Sequence, residues 1–236
     1  MALMDLIGMT GIQFFGKMSA SISHDLKNVL AIINENAGLL EDLCLMANKG
    51  KALEPARLKR LAEDVKHQIR RGDRIITSMN TFAHSADIDS VPIDLRELLG
   101  LLVELSSRYA SMRGVSLEVD RPCDSIMATT SPFILLNLMW HCLDYAMTAA
   151  GPTKTVELTA EKTPDGARLH FRKLAGIGTV AGTFPAEPES TLIRVLNAQI
   201  RLDPDSMEVI VSLPAEFKGT DNVVNRNHGD TIGGMP

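Results

Sequence analysis

The segment from Phe15 to Ile33 reads FGKMSASISHDLKNVLAII, and its apolar residues recur at mixed three- and four-residue steps. The same spacing continues over about residues 9–48, which predicts one long amphipathic helix. A second run with this spacing starts at Pro55, a residue that suits the first turn of a helix, and fades near Ala86. The sequence therefore predicts two antiparallel helices joined by a short turn.

A single helical hairpin of this kind leaves an apolar stripe on each helix uncovered. Two copies that pair as a four-helix bundle bury both stripes. We therefore expect a homodimer that is held together by the hairpin.

After the linker at 87–90 the spacing of the apolar residues changes, and the new spacing favours helices packed on a sheet. The pattern predicts helices at 94–113, 131–149 and 189–198, and strands at 115–119, 156–160, 168–172, 200–202 and 207–213. Asp94 is expected to cap the first of these helices and Gly114 to end it. The expected fold class is α+β, with a helical hairpin at 1–88, an α/β sandwich at 89–217 and a disordered polar tail at 218–236.

The chain carries 24 Lys and Arg against 29 Asp and Glu, a formal net charge of −5, and it contains no basic tract. This charge argues against non-specific binding to nucleic acid. The three cysteines, Cys44, Cys123 and Cys142, lack CxxC spacing, so neither a disulfide framework nor a zinc site is expected. No window approaches about 18 apolar residues, so we expect no membrane span, no signal peptide and a cytoplasmic location.

His24 lies within the first predicted helix, in the stretch Ser23-His24-Asp25-Leu26-Lys27-Asn28. Residues four apart share one helical face, so His24 and Asn28 point together, and Asp25 can reach the imidazole from the side. An imidazole keeps an unprotonated nitrogen available as a nucleophile near neutral pH. A carboxylate bonded to the other nitrogen would fix the tautomer. The alternative is an exposed helical histidine without a role, but the triplet on a dimerising hairpin favours a histidine with a chemical role.

This stretch resembles the H-box of sensor histidine kinases, in which the histidine is followed by an acidic residue and, three positions further on, by Asn or Thr. The predicted order of helices and strands is similar to that family's dimerisation domain and ATP-binding domain, so the resemblance covers most of the chain. It implies a Bergerat-type ATPase fold for 89–217. It also implies that His24 accepts a phosphoryl group and that Asn28 can orient a water for attack on an aspartyl phosphate.

The second half departs from the family's nucleotide site at several positions. In 137–146, which resembles the N-box, His141 stands where the family has a magnesium-coordinating asparagine, and magnesium prefers oxygen ligands. In Leu174-Ala175-Gly176-Ile177-Gly178, Leu174 replaces the adenine-recognising aspartate of the Asp-x-Gly-x-Gly box and cannot accept its hydrogen bond. No Gly-x-Gly repeat occurs between Gly182 and Ala198. The resemblance therefore implies a degenerate site with no ATP, no metal of its own and no autokinase activity.

An intact H-box combined with a degenerate ATPase domain resembles the ChpT-type histidine phosphotransferases. That family passes a phosphoryl group from one receiver-domain aspartate to another, which implies a phosphorelay role in two-component signalling through His24, with Asp25 and Asn28 as supporting residues. The implied partners are response-regulator receiver domains, which supply the magnesium, and a hybrid histidine kinase. A receiver phosphatase, a non-catalytic scaffold and a residual autokinase are alternative functions, and the direction of phosphoryl flow stays open.

Two surface features each allow two interpretations. Arg70, Arg71 and Arg74 of the second helix either steer an acidic receiver pocket or form an ordinary solvated face, and the sequence favours the solvated face. An apolar stripe next to His24 either docks a receiver or belongs to the bundle core, and the sequence favours the core. The stripe consists of Ile22, Leu26, Val29, Leu30 and Ile33.

Overall fold

The computed structural model describes residues 3–120, 124–180, 182 and 184–215, with side chains from Leu6 onward. The tail expected at 218–236 lies outside these residues. Helix α1 spans Leu3–Asn48 and helix α2 spans Pro55–Ser85. The chain reverses between them at Gly50, whose φ of +83° suits a glycine. The predicted hairpin of two long helices is confirmed.

The rest of the described chain forms helices packed on a sheet. Its helices are α3 (Leu95–Arg113), α4 (Pro132–Ala149) and α5 (Glu187–Leu196), with a 3-10 turn at Gly151–Thr153. Its strands are β1 (Val91–Asp94), β2 (Ser116–Val119), β3 (Met127–Thr130), β4 (Thr155–Thr163), β5 (Gly166–Arg172), β6 (Gln199–Asp203) and β7 (Glu208–Pro214). The larger sheet has the order β2-β4-β5-β7-β6, with β2 parallel to β4 and the other pairs antiparallel. The expected α+β class is confirmed.

A small second sheet, formed by β1 and β3, was missing from the sequence prediction. The two strands are antiparallel, with Val91 opposite Thr130 and Asp94 opposite Met127. Each has four residues, and Pro92 inside β1 argues against a strand when only the sequence is read. The two strands are stabilised by pairing with each other across the fold. No local sequence pattern predicts that pairing.

Helix α3 begins and ends at the residues expected from the sequence. The carboxylate of Asp94 accepts the backbone N–H of Arg96 at 3.0 Å and its guanidinium at 2.7 Å. Arg96 thereby holds the pKa of this carboxyl well below its usual range. Gly114 ends the helix with a φ of +63°, a left-handed conformation that glycine adopts without a Cβ penalty.

One hydrophobic core joins the hairpin to the sheet and its helices. The rings of Phe14 in α1 and Phe82 in α2 have centroids 5.4 Å apart, and both rings lie within 6 Å of the ring of Phe133 in α4. The hydroxyl of Tyr109 in α3 donates to the backbone oxygen of Lys17 at 3.1 Å. The residues that the sheet contributes to this core include Val156, Leu158, Leu169, Phe171, Val209 and Val211.

Helix α1 starts earlier than its apolar spacing predicted. Gly11, near the start of the helix, lies against Phe133 of α4. Thr10, which is buried, donates to the backbone oxygens of Leu6 and Ile7 at 3.0 Å. Among the helices of the described chain, none is long and apolar enough to cross a membrane.

Candidate functional site

His24 lies on the outward face of α1, and 47% of its side chain is exposed. The neighbouring residues on the opposite face, Ile22 and Val29, are buried against α2 and the core. Because the apolar side chains fix the rotation of α1 about its axis, they also fix the direction of the imidazole toward solvent. The candidate phosphoacceptor is therefore accessible to another protein.

The side chains predicted to support His24 both approach the same ring nitrogen. Asn28 Nδ2 lies 3.3 Å from His24 Nδ1, as expected for residues one helical turn apart. Asp25 Oδ1 lies 3.9 Å from Nδ1, and 17% of the Asp25 side chain is exposed. This distance is too long for a hydrogen bond, so Asp25 acts on the ring through its charge. Nε2 has no hydrogen-bond partner among the described residues.

This geometry determines which nitrogen can react. A neutral imidazole carries one proton, and the nitrogen without it is the nucleophile. The carboxylate of Asp25 favours the proton on Nδ1, which leaves the exposed Nε2 with a free lone pair. In the structure the Asn28 amide presents Nδ2, which donates to Nδ1 and so supports the tautomer with the proton on Nε2. The same amide supports a proton on Nδ1 when it is turned to present Oδ1, and in that orientation the arrangement suits a nucleophile at Nε2.

Two cavities flank this turn of α1. The first, of about 260 Å³, is lined by Asp25, by Arg71 and Arg74 of α2 and by Glu104 of α3. Glu104 accepts the hydroxyl of Ser78, and neither arginine forms an ion pair with any described residue. The sequence favoured a solvated face for these arginines, and in the structure Arg74 is exposed and Arg71 half-buried, while both line a cavity with Asp25.

The second cavity, of about 520 Å³, is an apolar groove between α1 and α2. Of the apolar stripe considered above, Ile22 and Val29 are buried in the core, whereas Leu30 is 64% exposed in the isolated chain. Met79 of α2, which also lines this groove, is 40% exposed. The groove therefore presents apolar surface that the described chain does not cover.

The positions that resemble a nucleotide site are occupied by contacts within the chain. His141 Nδ1 lies 2.6 Å from Glu189 Oε1. The other Glu189 oxygen accepts the backbone N–H of Ala186 at 2.8 Å. Burial is the largest single influence and raises the pKa of Glu189, but the hydrogen bond and charge of His141 together with backbone N–H groups lower the net pKa. Glu189 was missed by the sequence analysis, because its partner lies on another helix and local spacing cannot show the pairing.

The loop at 174–178 is closed against α4. Leu174 is fully buried, where the family would present an aspartate to adenine. The N–H of Gly176 donates to the oxygen of Ala149 at 2.9 Å. Tyr145 donates to the oxygen of Ile177 at 2.7 Å and stacks on Phe184 with ring centroids 4.5 Å apart. These contacts hold the loop against α4.

The positions that resemble a nucleotide site therefore lack two of the expected polar side chains, since His141 and Leu174 offer no oxygen ligand or acceptor. Asn137, one helical turn before His141, is buried and its Oδ1 has no hydrogen-bond partner among the described residues. Within the described chain, no group of three His, Cys, Asp or Glu side chains is placed to hold a metal ion.

Comparison with known proteins finds similarity to sensor proteins and histidine kinases. No protein-family model matches the chain. The sensor protein ChvG of Rhizobium meliloti (strain 1021) is 35% identical over 110 residues, which are 44% of this chain and 18% of that protein. The chain thus spans less than a fifth of the length of this curated relative.

Two solved structures are similar to the chain at low sequence identity. The histidine kinase AdeS of Acinetobacter baumannii is 11% identical, with 83% of this chain and 98% of that chain covered and a TM-score of 0.44. A bacterial phosphotransferase is 15% identical, with 90% and 97% covered and a TM-score of 0.45. The α+β assignment rests on this chain's own strand order and helices, and the comparisons establish similarity to sensor proteins and histidine kinases.

Proposed function

We propose that this protein is a histidine phosphotransferase of two-component signalling, which relays phosphoryl groups between receiver-domain aspartates through His24. The observation that carries the proposal is the ring geometry. Asn28 and Asp25 both approach His24 at Nδ1, while Nε2 has no hydrogen-bond partner among the described residues and the side chain is 47% exposed.

The reaction proposed for this geometry is a direct displacement at phosphorus. The Nε2 lone pair attacks the aspartyl phosphate in line with the bond between phosphorus and the aspartate oxygen. The N–P bond forms as that P–O bond breaks, and its electron pair leaves on the aspartate carboxylate. The Nδ1 proton stays on the ring, so the ring gains positive charge, which the Asp25 carboxylate at 3.9 Å stabilises. Transfer to a second receiver is the reverse reaction.

The second half of the chain supports a relay rather than an autokinase. A kinase must bind ATP beside its own histidine, and phosphoryl transfer from ATP depends on a positioned metal and cradled phosphates. The His141–Glu189 pair and the buried Leu174 occupy that region. We propose that the magnesium for transfer is bound by the receiver partner and that this chain holds none.

We also propose that two copies pair through their hairpins. The described chain leaves large apolar side chains exposed along α1 and α2, namely Ile12, Phe15, Leu30, Leu39, Leu40, Leu45, Ile69, Ile76 and Met79. Exposed apolar side chains in this number favour an interaction site, and a second copy presents the matching surface. The four-helix bundle expected from the sequence covers it.

Incubation with phosphorylated receiver domains tests the relay. We expect an acid-labile, protein-bound phosphate that His24→Ala abolishes, because the nucleophilic nitrogen is removed. His67→Ala is the matched control, since His67 is also an exposed histidine on the hairpin, and this variant should keep full phosphorylation. Phosphorylation that persists in His24→Ala would contradict the proposal.

A receiver phosphatase is the second candidate, and the position of Asn28 favours it over the remaining alternatives. Its exposed amide lies within 3.3 Å of the His24 ring, where it could orient a water toward an incoming aspartyl phosphate. Loss of phosphate from the receiver without any protein-bound intermediate would favour this function. Inhibition of a partner that survives in His24→Ala would instead indicate a scaffold.

A further inference from the structure

A cluster of unpaired cations lies on α2 close to the phosphoacceptor. Lys66, Arg70, Arg71 and Arg74 form this cluster, named here the α2 cationic cluster, with Asp73 as the intervening acidic residue. None of the four cations forms an ion pair with another described residue. The cluster is locally positive in a chain whose net charge is −5.

The packing of the hairpin brings two members of this cluster, Arg71 and Arg74, to a cavity that the residue after His24 also lines. Gly72, which is buried in α2, lies against Val29 of α1, one residue beyond Asn28. Arg71 and Arg74 flank Gly72 and line the cavity of about 260 Å³ that Asp25 also lines. The two guanidinium groups therefore share a cavity wall with the residue next to the phosphoacceptor.

The carboxylates near this cavity do not neutralise the arginines. Asp25 lies 3.9 Å from the His24 ring, and Glu104 accepts the hydroxyl of Ser78. Neither carboxylate forms an ion pair with Arg71 or Arg74 in the described chain. Arginine presents planar, bidentate donors that match carboxylate and phosphate geometry. Two such groups, without an ion-pair partner among the described residues, line a cavity together with Asp25 and are available to an incoming acidic partner.

We propose that the α2 cationic cluster binds the acidic rim of a receiver domain's phosphorylation site and thereby directs its aspartyl phosphate to His24. This inference rests on the proposed relay function. Charged groups arranged in this way raise the rate of encounter more than they change the chemical step. The cluster therefore acts on docking, while His24 performs the transfer.

Phosphotransfer kinetics with a phosphorylated receiver domain test the inference. Arg71→Glu/Arg74→Glu should lower kcat/KM at low salt by about tenfold or more, while kcat at saturating receiver changes by less than about twofold. Arg57→Glu/Arg60→Glu, which makes the same charge change at exposed positions nearer the start of α2, should leave both constants close to wild type. An equal effect of the two double variants would overturn the inference, because it would reflect net charge alone.

The salt dependence of kcat/KM for phosphotransfer by the wild-type protein tests the inference without any variant. Surface charge steering weakens as the Debye length falls from about 30 Å at 0.01 M to about 8 Å at 0.15 M salt. The wild-type kcat/KM should therefore fall across this range, and Arg71→Gln/Arg74→Gln should flatten the dependence. A wild-type rate that is independent of salt would contradict the inference even if the charge-reversed variant fails to fold.

Binding in a His24→Ala background separates this inference from the relay itself. The probe is the same receiver domain, and its dissociation constant is compared with and without Arg71→Glu/Arg74→Glu. Weaker binding by about tenfold or more supports the docking role even if no phosphohistidine is ever found, since transfer is impossible in this background. Normal binding of the charge-reversed variant alongside efficient wild-type transfer would overturn the docking role and leave the relay intact.

Discussion

At the residue scale, the proposed phosphoryl transfer depends on how the imidazole of His24 is oriented. The four-residue spacing predicted that Asn28 lies beside His24, and the 3.3 Å contact agrees with it. The spacing did not predict that Asp25 lies 3.9 Å from the same nitrogen rather than bonded to it. Side-chain rotamers decide that distance, and the sequence does not specify them.

Removing the Asn28 side chain should leave the His24 imidazole less firmly oriented, while its nucleophilic nitrogen remains. We expect Asn28→Ala to slow phosphoryl transfer by about tenfold, because a misplaced reacting atom loses the benefit of orientation. Single-turnover transfer from a phosphorylated receiver measures this rate. Asn34→Ala changes another exposed asparagine of α1 and should transfer at the wild-type rate. Full transfer by Asn28→Ala, with loss of only receiver-phosphate hydrolysis, would assign Asn28 to the phosphatase reaction instead.

At the scale of helices and strands, periodicity predicted the long elements and failed for the short ones. The two hairpin helices, α3 and α4 were expected near their observed bounds, because apolar spacing and end signals agree over many residues. The four-residue strands β1 and β3 were missed, since only their mutual pairing stabilises them. The His141–Glu189 pair, which joins α4 to α5, was missed for the same reason.

The cap of α3 gives a pH-dependent prediction. Arg96 lowers the pKa of Asp94 in the folded protein, so the ionised carboxylate stabilises the fold above the unfolded pKa of about 3.9. This stabilisation is lost as the pH falls through the lower folded pKa. Asp94→Ala should therefore reduce the free energy of unfolding by about 1 kcal/mol at pH 7, with a smaller difference below about pH 4. Urea unfolding at a series of pH values measures it.

Asp89→Ala is the control for this cap. Asp89 is exposed in the linker before β1, so its removal should change the free energy of unfolding little at any pH. A difference between Asp94→Ala and wild type that stays constant from pH 7 to pH 3 would show that the carboxylate charge is not the source of the stabilisation.

At the scale of the whole molecule, the hairpin and the sheet share one core. Phe14, Met18, Ile22 and Phe82 of the hairpin belong to the same buried cluster as the sheet and its helices. The division at 1–88 and 89–217 stays a prediction about the sequence, and the structure adds that both parts are packed together. Contacts between residues far apart in sequence, such as the one between Tyr109 and Lys17, are not visible in local patterns.

The exposed apolar surface of the hairpin predicts the oligomeric state. Leu30→Glu should convert a dimer to a monomer, because it places a charge in the surface that a second copy would bury. Met112→Glu is the matched control, since Met112 is 70% exposed on α3, outside the hairpin, and this variant should remain dimeric. Light scattering coupled to size-exclusion chromatography gives the mass. A monomeric wild-type protein at micromolar concentration would rule out the bundle.

The most direct test of the relay is to identify the atom that carries the phosphoryl group. The protein, labelled with ¹⁵N in its histidines, is phosphorylated by a phosphorylated receiver domain and examined by ³¹P and ¹⁵N NMR. We predict a single phosphohistidine at His24, bonded through Nε2, whose signal disappears when an unphosphorylated receiver is added. A phosphoryl group on Nδ1, on another residue or on no residue during receiver dephosphorylation would contradict the account.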